Sequence, residues 1–170
     1  MAGPAGGPSA EDGAMIELER DIWLPVTPGE AWRSLWNIAA LAACIPGCED
    51  VQEIETRRRY RATVRDRVGP FKVTIPLDVV VDSIDEGRRL LATASGRDSI
   101  LGSPVKVELT VTLEPIDRGT TFSLRGTAQV GGKLAALGQA VTQRKTRDTL
   151  DRFVTNLERL LEGPTDAAAV

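Results

Sequence analysis

Apolar residues recur at every second position through most of the middle of this chain, and that period constrains the fold more than any other feature. Val105, Val107, Leu109, Val111 and Leu113 alternate with Lys106, Glu108, Thr110, Thr112 and Glu114. Phe122, Leu124, Gly126, Ala128 and Val130 alternate in the same way with Ser123, Arg125, Thr127 and Gln129. Phe71, Val73, Ile75, Leu77, Val79 and Val81 form a third such run. A period of two puts apolar side chains on one face of a strand and polar ones on the other. Turn signals separate the runs: Gly69-Pro70, Asp85-Glu86-Gly87 and Asp117-Arg118-Gly119. Long strands joined by short turns predict an antiparallel meander with one solvated face.

The flanking segments complete the outline. Ile16 to Leu24 alternates as a half-buried strand that Pro25 closes. Thr27-Pro28-Gly29-Glu30 offers an N-cap, a first-turn proline and a capping-box glutamate, so a helix starts near Pro28. Asn37 breaks it, and Ile38 to Cys44 forms a second short helix. Shorter strands are expected at Val51–Glu55, Tyr60–Arg65 and Leu90–Ala94, with Gly96 to Pro104 as a loop. Pro76 suggests an edge position or a bulge in its strand. Lys133 to Leu161 contains no proline and reads as one helix, roughly 45 Å long at 1.5 Å per residue, stopped by Gly163-Pro164. The expectation is one α+β domain over residues 15–162: a curved antiparallel sheet gripping the long C-terminal helix, with two short helices after the first strand. Residues 1–14 read as a disordered leader and 163–170 as a short flexible tail.

Composition removes several classes of function. The chain of 170 residues contains no histidine, which excludes Ser-His-Asp and Cys-His catalysis and every histidine-ligated metal site. A net charge of -3 gives no pull towards nucleic acid. No apolar run reaches the roughly 18 residues of a spanning helix, and no secretory signal is evident, so a cytoplasmic location is expected. Cys44 and Cys48 lack zinc-site spacing and read as small buried residues. The expectation is a protein without catalytic or metal-binding residues.

The C-terminal helix has two unlike halves. Leu150, Phe153, Val154, Leu157, Leu160 and Leu161 give the second half a bulky apolar face. Small residues dominate from Gly132 to Val141, and the strands supply Ala62, Ala92, Ala94, Gly96, Gly126 and Ala128. Only 4% of residues are aromatic, so few rings are available to fill the gap. Small residues either let backbones pack closely or leave a cavity, and composition leaves both open. A cavity here would suit an uncharged apolar ligand. Leu134, Leu137, Gly138 and Val141 would line it from the helix; Leu77, Val79, Ala92, Val107 and Leu109 would line it from the sheet. Ile45 and Pro46, with Ile100 and Leu101, would form a mouth. Trp32 and Trp36 either stack on a ligand ring or belong to the core. Arg57-Arg58-Arg59 reads as solvated hairpin charge or a contact for acidic lipid, and Arg144, Lys145, Arg147 and Arg152 as solvent-facing. Tyr60, Asp66 and Arg125 are the ionisable residues an enzyme of this shape would need, Arg125 falling on the opposite face.

Two stretches carry a family resemblance. Ala42-Ala43-Cys44-Ile45-Pro46-Gly47-Cys48-Glu49 resembles the AACIPGCE signature of the CoxG family, named for the CoxG subunit of carbon monoxide dehydrogenase. Ala128 to Gly138 resembles that family's AQVGGKLAxLG segment, and Val68-Gly69-Pro70 fits its third strand. The resemblance implies a START-like (SRPBCC) helix-grip fold with an apolar pocket between sheet and long helix. It implies an accessory of a molybdenum-containing carbon monoxide dehydrogenase or related hydroxylase, acting by recruitment to the membrane or by handling a quinone, menaquinone or ubiquinone. The chain departs from the family in a short tail after Gly163 and in the loop Arg97 to Ser103, which lacks the expected Gly/Ala-rich character.

Overall fold

A computed structural model describes residues 13–169, and side chains from residue 14 to residue 161. Seven strands and four helices follow in the order β1 (Gly13–Leu24), α1 (Pro28–Leu35), α2 (Ile38–Ala43), β2 (Cys48–Glu55), β3 (Arg59–Val68), β4 (Phe71–Asp85), β5 (Arg89–Arg97), β6 (Pro104–Ile116), β7 (Gly119–Gly131), α3 (Gly132–Ala135) and α4 (Gln139–Ala169). The strands form one antiparallel sheet in the order β1-β7-β6-β5-β4-β3-β2. Hairpins therefore join β2 through β7 as a meander. The first strand returns to pair with the last, Ile16 opposite Ala128 and Ile22 opposite Phe122. The sheet grips α4, as the alternation and the long terminal helix predicted.

The helix start at α1 follows the sequence logic closely. Thr27 Oγ1 accepts from the Glu30 N–H at 3.1 Å, and Glu30 Oε1 accepts from the Thr27 N–H at 3.2 Å. This reciprocal box satisfies two donors that a helix start leaves unpaired. Asn37 caps α2 in the same sense, its Oδ1 facing the Ala40 N–H.

Several boundaries differ from the sequence reading. β1 begins at Gly13, two residues inside the expected leader, because Gly13 and Ala14 pair with Gly131 and Val130; residues 1–12 of that leader lie outside the described residues. β5 and β6 run on to Arg97 and from Pro104, which shortens the loop to 98–103. Pro76 is on an internal strand without a bulge; the register shift in β4 falls between Val81 and Ser83. Pro76 pairs with Thr63 on one side, and pairing with β5 starts only at Leu77. The C-terminal helix is not continuous from Lys133. Gly138 takes a φ of 102°, outside helical space, and separates the single turn α3 from α4. At its far end α4 passes Gly163-Pro164 and continues to Ala169. A proline near a helix end removes only one of the last backbone bonds, so it need not stop the helix there.

Candidate apolar cleft between sheet and helix

The inner face of the sheet reads as rows across the strands. One row runs Tyr60, Val79, Ala94, Val107, Ala128 and Ile16. The next runs Val81, Ala92, Leu109, Gly126 and Leu18. β5 thus contributes Leu90 at the larger cluster and then only Ala92, Ala94 and Gly96 to the floor. Gly96 and Gly126 are bare for a backbone reason: a Cβ on Gly96 would lie 2.0 Å from the Pro76 carbonyl oxygen, and one on Gly126 2.0 Å from that of Glu108. Such close approach marks the bends of a strongly curved sheet.

Two separate apolar clusters hold the molecule. The larger joins β1, β6 and β7 to α1 and the second half of α4, with Leu24, Trp32, Leu113, Phe122 and Leu157 at its centre. The smaller lies at the opposite end, where Val73, Ile75 and Leu134 meet Phe71, Leu101 and Leu137. Ala62, Val64, Val79, Ala92 and Ala94 belong to neither cluster, and all five are half-buried. The interior is therefore closed at both ends and thinly filled between them. Two recesses lie outside the grip. One of about 460 Å³ is bordered by Met15, Ser95, Lys106 and Gln129 at the ends of β1, β5, β6 and β7. The other, of about 420 Å³, runs between β1 and α4 and is mostly polar.

The residues expected to line a pocket divide accordingly. Leu134 is 3% exposed, packed with Val73 and Ile75 as an end wall. Leu77, Val79, Ala92, Val107 and Leu109 are half-buried on the inner face, and Leu137, Gly138 and Val141 are half-buried at the helix break. A Cβ added to Gly138 would meet nothing within 4 Å. The Ile45-Pro46 and Ile100-Leu101 segments flank the same end of β3 and β4. Gly47 O accepts from Arg65 N, Arg65 is opposite Thr74, and Thr74 O accepts from Ser99 N. Leu101 packs inward, whereas Ile100 points out and is 73% exposed.

Trp36 stands apart from the cleft. Its ring meets Trp32 edge-on at 5.8 Å and carries the Arg57 guanidinium 4.6 Å above it. Its Nε1 is buried without a hydrogen-bond partner. Trp32 Nε1 donates to Glu86 at 2.8 Å, and Arg57 also bonds Glu86. Arg57 is thus a tie between α1 and two hairpins rather than a free hairpin charge; Arg58 and Arg59 remain exposed.

Ionisable groups inside the grip are each engaged. Tyr60 is buried, and its hydroxyl accepts from the Arg57 N–H at 2.8 Å. Lys145 reaches Asp66 at 2.8 Å, with both side chains about a quarter exposed (24% and 25%), so Lys145 is not solvent-facing as expected. Arg125 sits on the outer face with Glu19 and Asp21. Cys44 and Cys48 are free thiols, and burial pushes both thiols up, for Cys48 with help from Glu49. Neither is a ready nucleophile. Among the described residues no cluster of three metal-ligating side chains occurs.

Asp98 was not singled out from the sequence. It is 1% exposed, and its carboxylate accepts from the N–H groups of Thr74, Ile100 and Leu101. Burial pushes its pKa up, but the three donors outweigh that and hold it below the usual carboxylate range. Ser103, fully buried, accepts from the Leu134 N–H at 3.1 Å. Together they pin the 98–103 loop to β4 and α3. The one available signal was an Asp followed by Ser and Gly, the composition of side chain-capped turns.

Residues 22–162 match the family described as the CoxG subunit of carbon monoxide dehydrogenase. The chain belongs to the CoxG family. Solved structures show the same fold. A conserved protein from Geobacillus kaustophilus superposes with a TM-score of 0.77 at 23% identity, covering 86% of this chain and 95% of that one. A protein from Thermus thermophilus gives 0.64 at 16% identity, with 87% and 98% covered. An aromatase/cyclase from a Streptomyces species gives 0.57 at 15% identity, with 85% and 94% covered. No curated protein matches the chain in sequence. This CoxG-family chain therefore has the START-like helix-grip architecture. Among its described residues no helix is long and apolar enough to cross a membrane.

Proposed function

We propose that this CoxG-family protein carries an apolar small molecule between its sheet and α4 without transforming it, and that the ligand is a quinone of the menaquinone or ubiquinone class. The observation that carries the reading is the thin middle of the grip: five half-buried alanines and valines, beside the buried Tyr60 and Val81, between two apolar clusters. A ring with an isoprenoid tail is mostly apolar, as the alanines and valines between the two clusters are. Burying about 400 Å² of its apolar surface would supply up to roughly 10 kcal/mol before association costs. The family name supports a carbon monoxide dehydrogenase, or a related molybdenum hydroxylase, as the partner that uses the ligand.

The test is direct. Organic extracts of the purified protein are examined by mass spectrometry, and added menaquinone or ubiquinone is followed by quenching of tryptophan fluorescence. Co-purifying or saturably bound quinone supports the carrier. An empty protein that ignores both quinones sinks it.

A catalytic reading draws on the fold shared with the aromatase/cyclase and on Tyr60 and Asp66. Both groups already have partners, which argues against them as free acids or bases. Turnover of a bound polyketide-like substrate, lost in Tyr60→Phe or Asp66→Asn, would favour this reading. A third reading, a docking factor that brings the dehydrogenase to the membrane, predicts partner capture by a protein that holds no ligand.

A further inference from the structure

We propose that the flank of the cleft between α4 and β3 is the door through which the carried molecule passes, and that the Lys145–Asp66 ion pair is its latch. The sheet is the floor of the cleft, and an apolar cluster closes each end. That leaves two long flanks, and they are fastened by different physics. Along β1, α4 is held by apolar packing: Ile16 and Leu18 share the larger cluster with Leu150, Phe153 and Leu157. Gln139 Nε2 also donates to Met15 O at 2.9 Å, and Arg20 pairs with Asp151 at 2.6 Å. The polar recess on that side is lined in part by Ile16, Leu18 and Leu150, members of the same packed cluster.

Along β3 the fastening is polar. Lys145 Nζ meets Asp66 at 2.8 Å, and Asn156 Nδ2 donates to Cys44 O at 2.9 Å, where α2 ends. Among the described residues β2 gives no member to either apolar cluster, and β3 gives only Val68 at its end. Asp66 stands on the same inner face of β3 as Ala62 and Val64, which are half-buried and belong to neither cluster. Between the two ties α4 runs roughly 16 Å at 1.5 Å per residue. Opening this flank hands two charged groups to water, which solvates them well, whereas opening the β1 flank would expose leucines and a phenylalanine. Both side chains of the pair are already about a quarter exposed, so solvent and salt screen it. The helix also has a pivot. Gly138, with a φ of 102° and nothing within 4 Å of an added Cβ, interrupts the helix just before Gln139. α4 can therefore tilt while Leu134 keeps α3 in the end wall. The inference rests on the carrier reading and adds to it the route and the step that sets the exchange rate.

The test is stopped-flow exchange on the full chain with two probes: a short-chain ubiquinone read by tryptophan quenching, and Nile red read by its own fluorescence. Asp66→Asn keeps the side-chain shape and removes the charge. It should speed uptake and release alike, by about fivefold, and leave Kd as in the wild type. Asn156→Ala removes the second tie and should act in the same direction. High salt should speed exchange in the wild type and have little effect on Asp66→Asn. Arg20→Gln breaks the ion pair on the β1 flank and should leave both rates unchanged. Melting temperatures confirm that each variant folds. Unchanged rates in Asp66→Asn, or equal acceleration by Arg20→Gln, would overturn the proposal. So would a Kd weakened by faster release alone, which would make the pair part of the binding wall rather than a latch. Binding of Nile red without ubiquinone removes the quinone, and the same rates measured with the dye still decide the door. A wild type that takes up neither probe removes the carrier, and the door with it.

Discussion

Ala94→Leu tests the hollow by the sign of its effect on stability. Ala94 sits on the inner face between Val79 and Val107, in the zone that neither apolar cluster fills. Leucine adds three carbons, worth about 0.8 kcal/mol each when fully buried. The site is half-buried, so roughly 1 kcal/mol of added stability is expected, a rise of about 2–4 °C in Tm for a domain of this size. If the interior were already packed, the same change would force neighbours from their rotamers and cost about 1–3 kcal/mol. Ala31→Leu supplies that comparison, since Ala31 is 3% exposed against the larger cluster and should lose about 1–3 kcal/mol. Leu157→Ala, in the same cluster, should lose about 2–5 kcal/mol. Chemical denaturation and thermal melts of the ligand-free protein read all three. Quinone uptake by Ala94→Leu should fall while its stability holds or rises. An Ala94→Leu protein destabilised as much as Ala31→Leu would refute the hollow.

Further predictions concern the scaffold. Asp98→Ala leaves the Thr74 and Leu101 N–H groups without an acceptor in a buried site, for a loss of about 2–5 kcal/mol in urea unfolding. The depressed pKa of Asp98 means its ionised form stabilises the fold above the unfolded value near 3.9, and that this contribution disappears as pH falls through the lower folded value. The Tm gap between wild type and Asp98→Asn should therefore be full at pH 7 and shrink below about pH 4; a gap that ignores pH would show that the charge does not brace the loop. Thr27→Ala removes the reciprocal cap of α1 and should cost about 1 kcal/mol, measured by denaturation at neutral pH.

How much could be read before folding depends on the range of the interaction. The strands between Phe71 and Val130 were legible because alternation is a local consequence of one buried face, and the turns between them carry Gly, Pro and Asp. The start of α1 was legible because a capping box closes within four residues. Small residues at Ala92, Ala94 and Gly126 pointed to thin filling. Whether they mark close packing or open space depends on the distance between sheet and helix, which no local pattern encodes.

The sequence by itself determined the meander, the starts of α1 and α2 and the family, since each rests on neighbours along the chain or on a contiguous motif. Only the tertiary structure decided the rest. It put Leu134 in an end wall, stacked Arg57 over Trp36, set Lys145 on Asp66, and left Ile100 outside while Asp98 went in. The reason is common to all of these. A side chain's burial and charge state depend on which distant strand or helix arrives beside it, and an arginine or aspartate is written identically whether it meets water, a ring or three backbone amides.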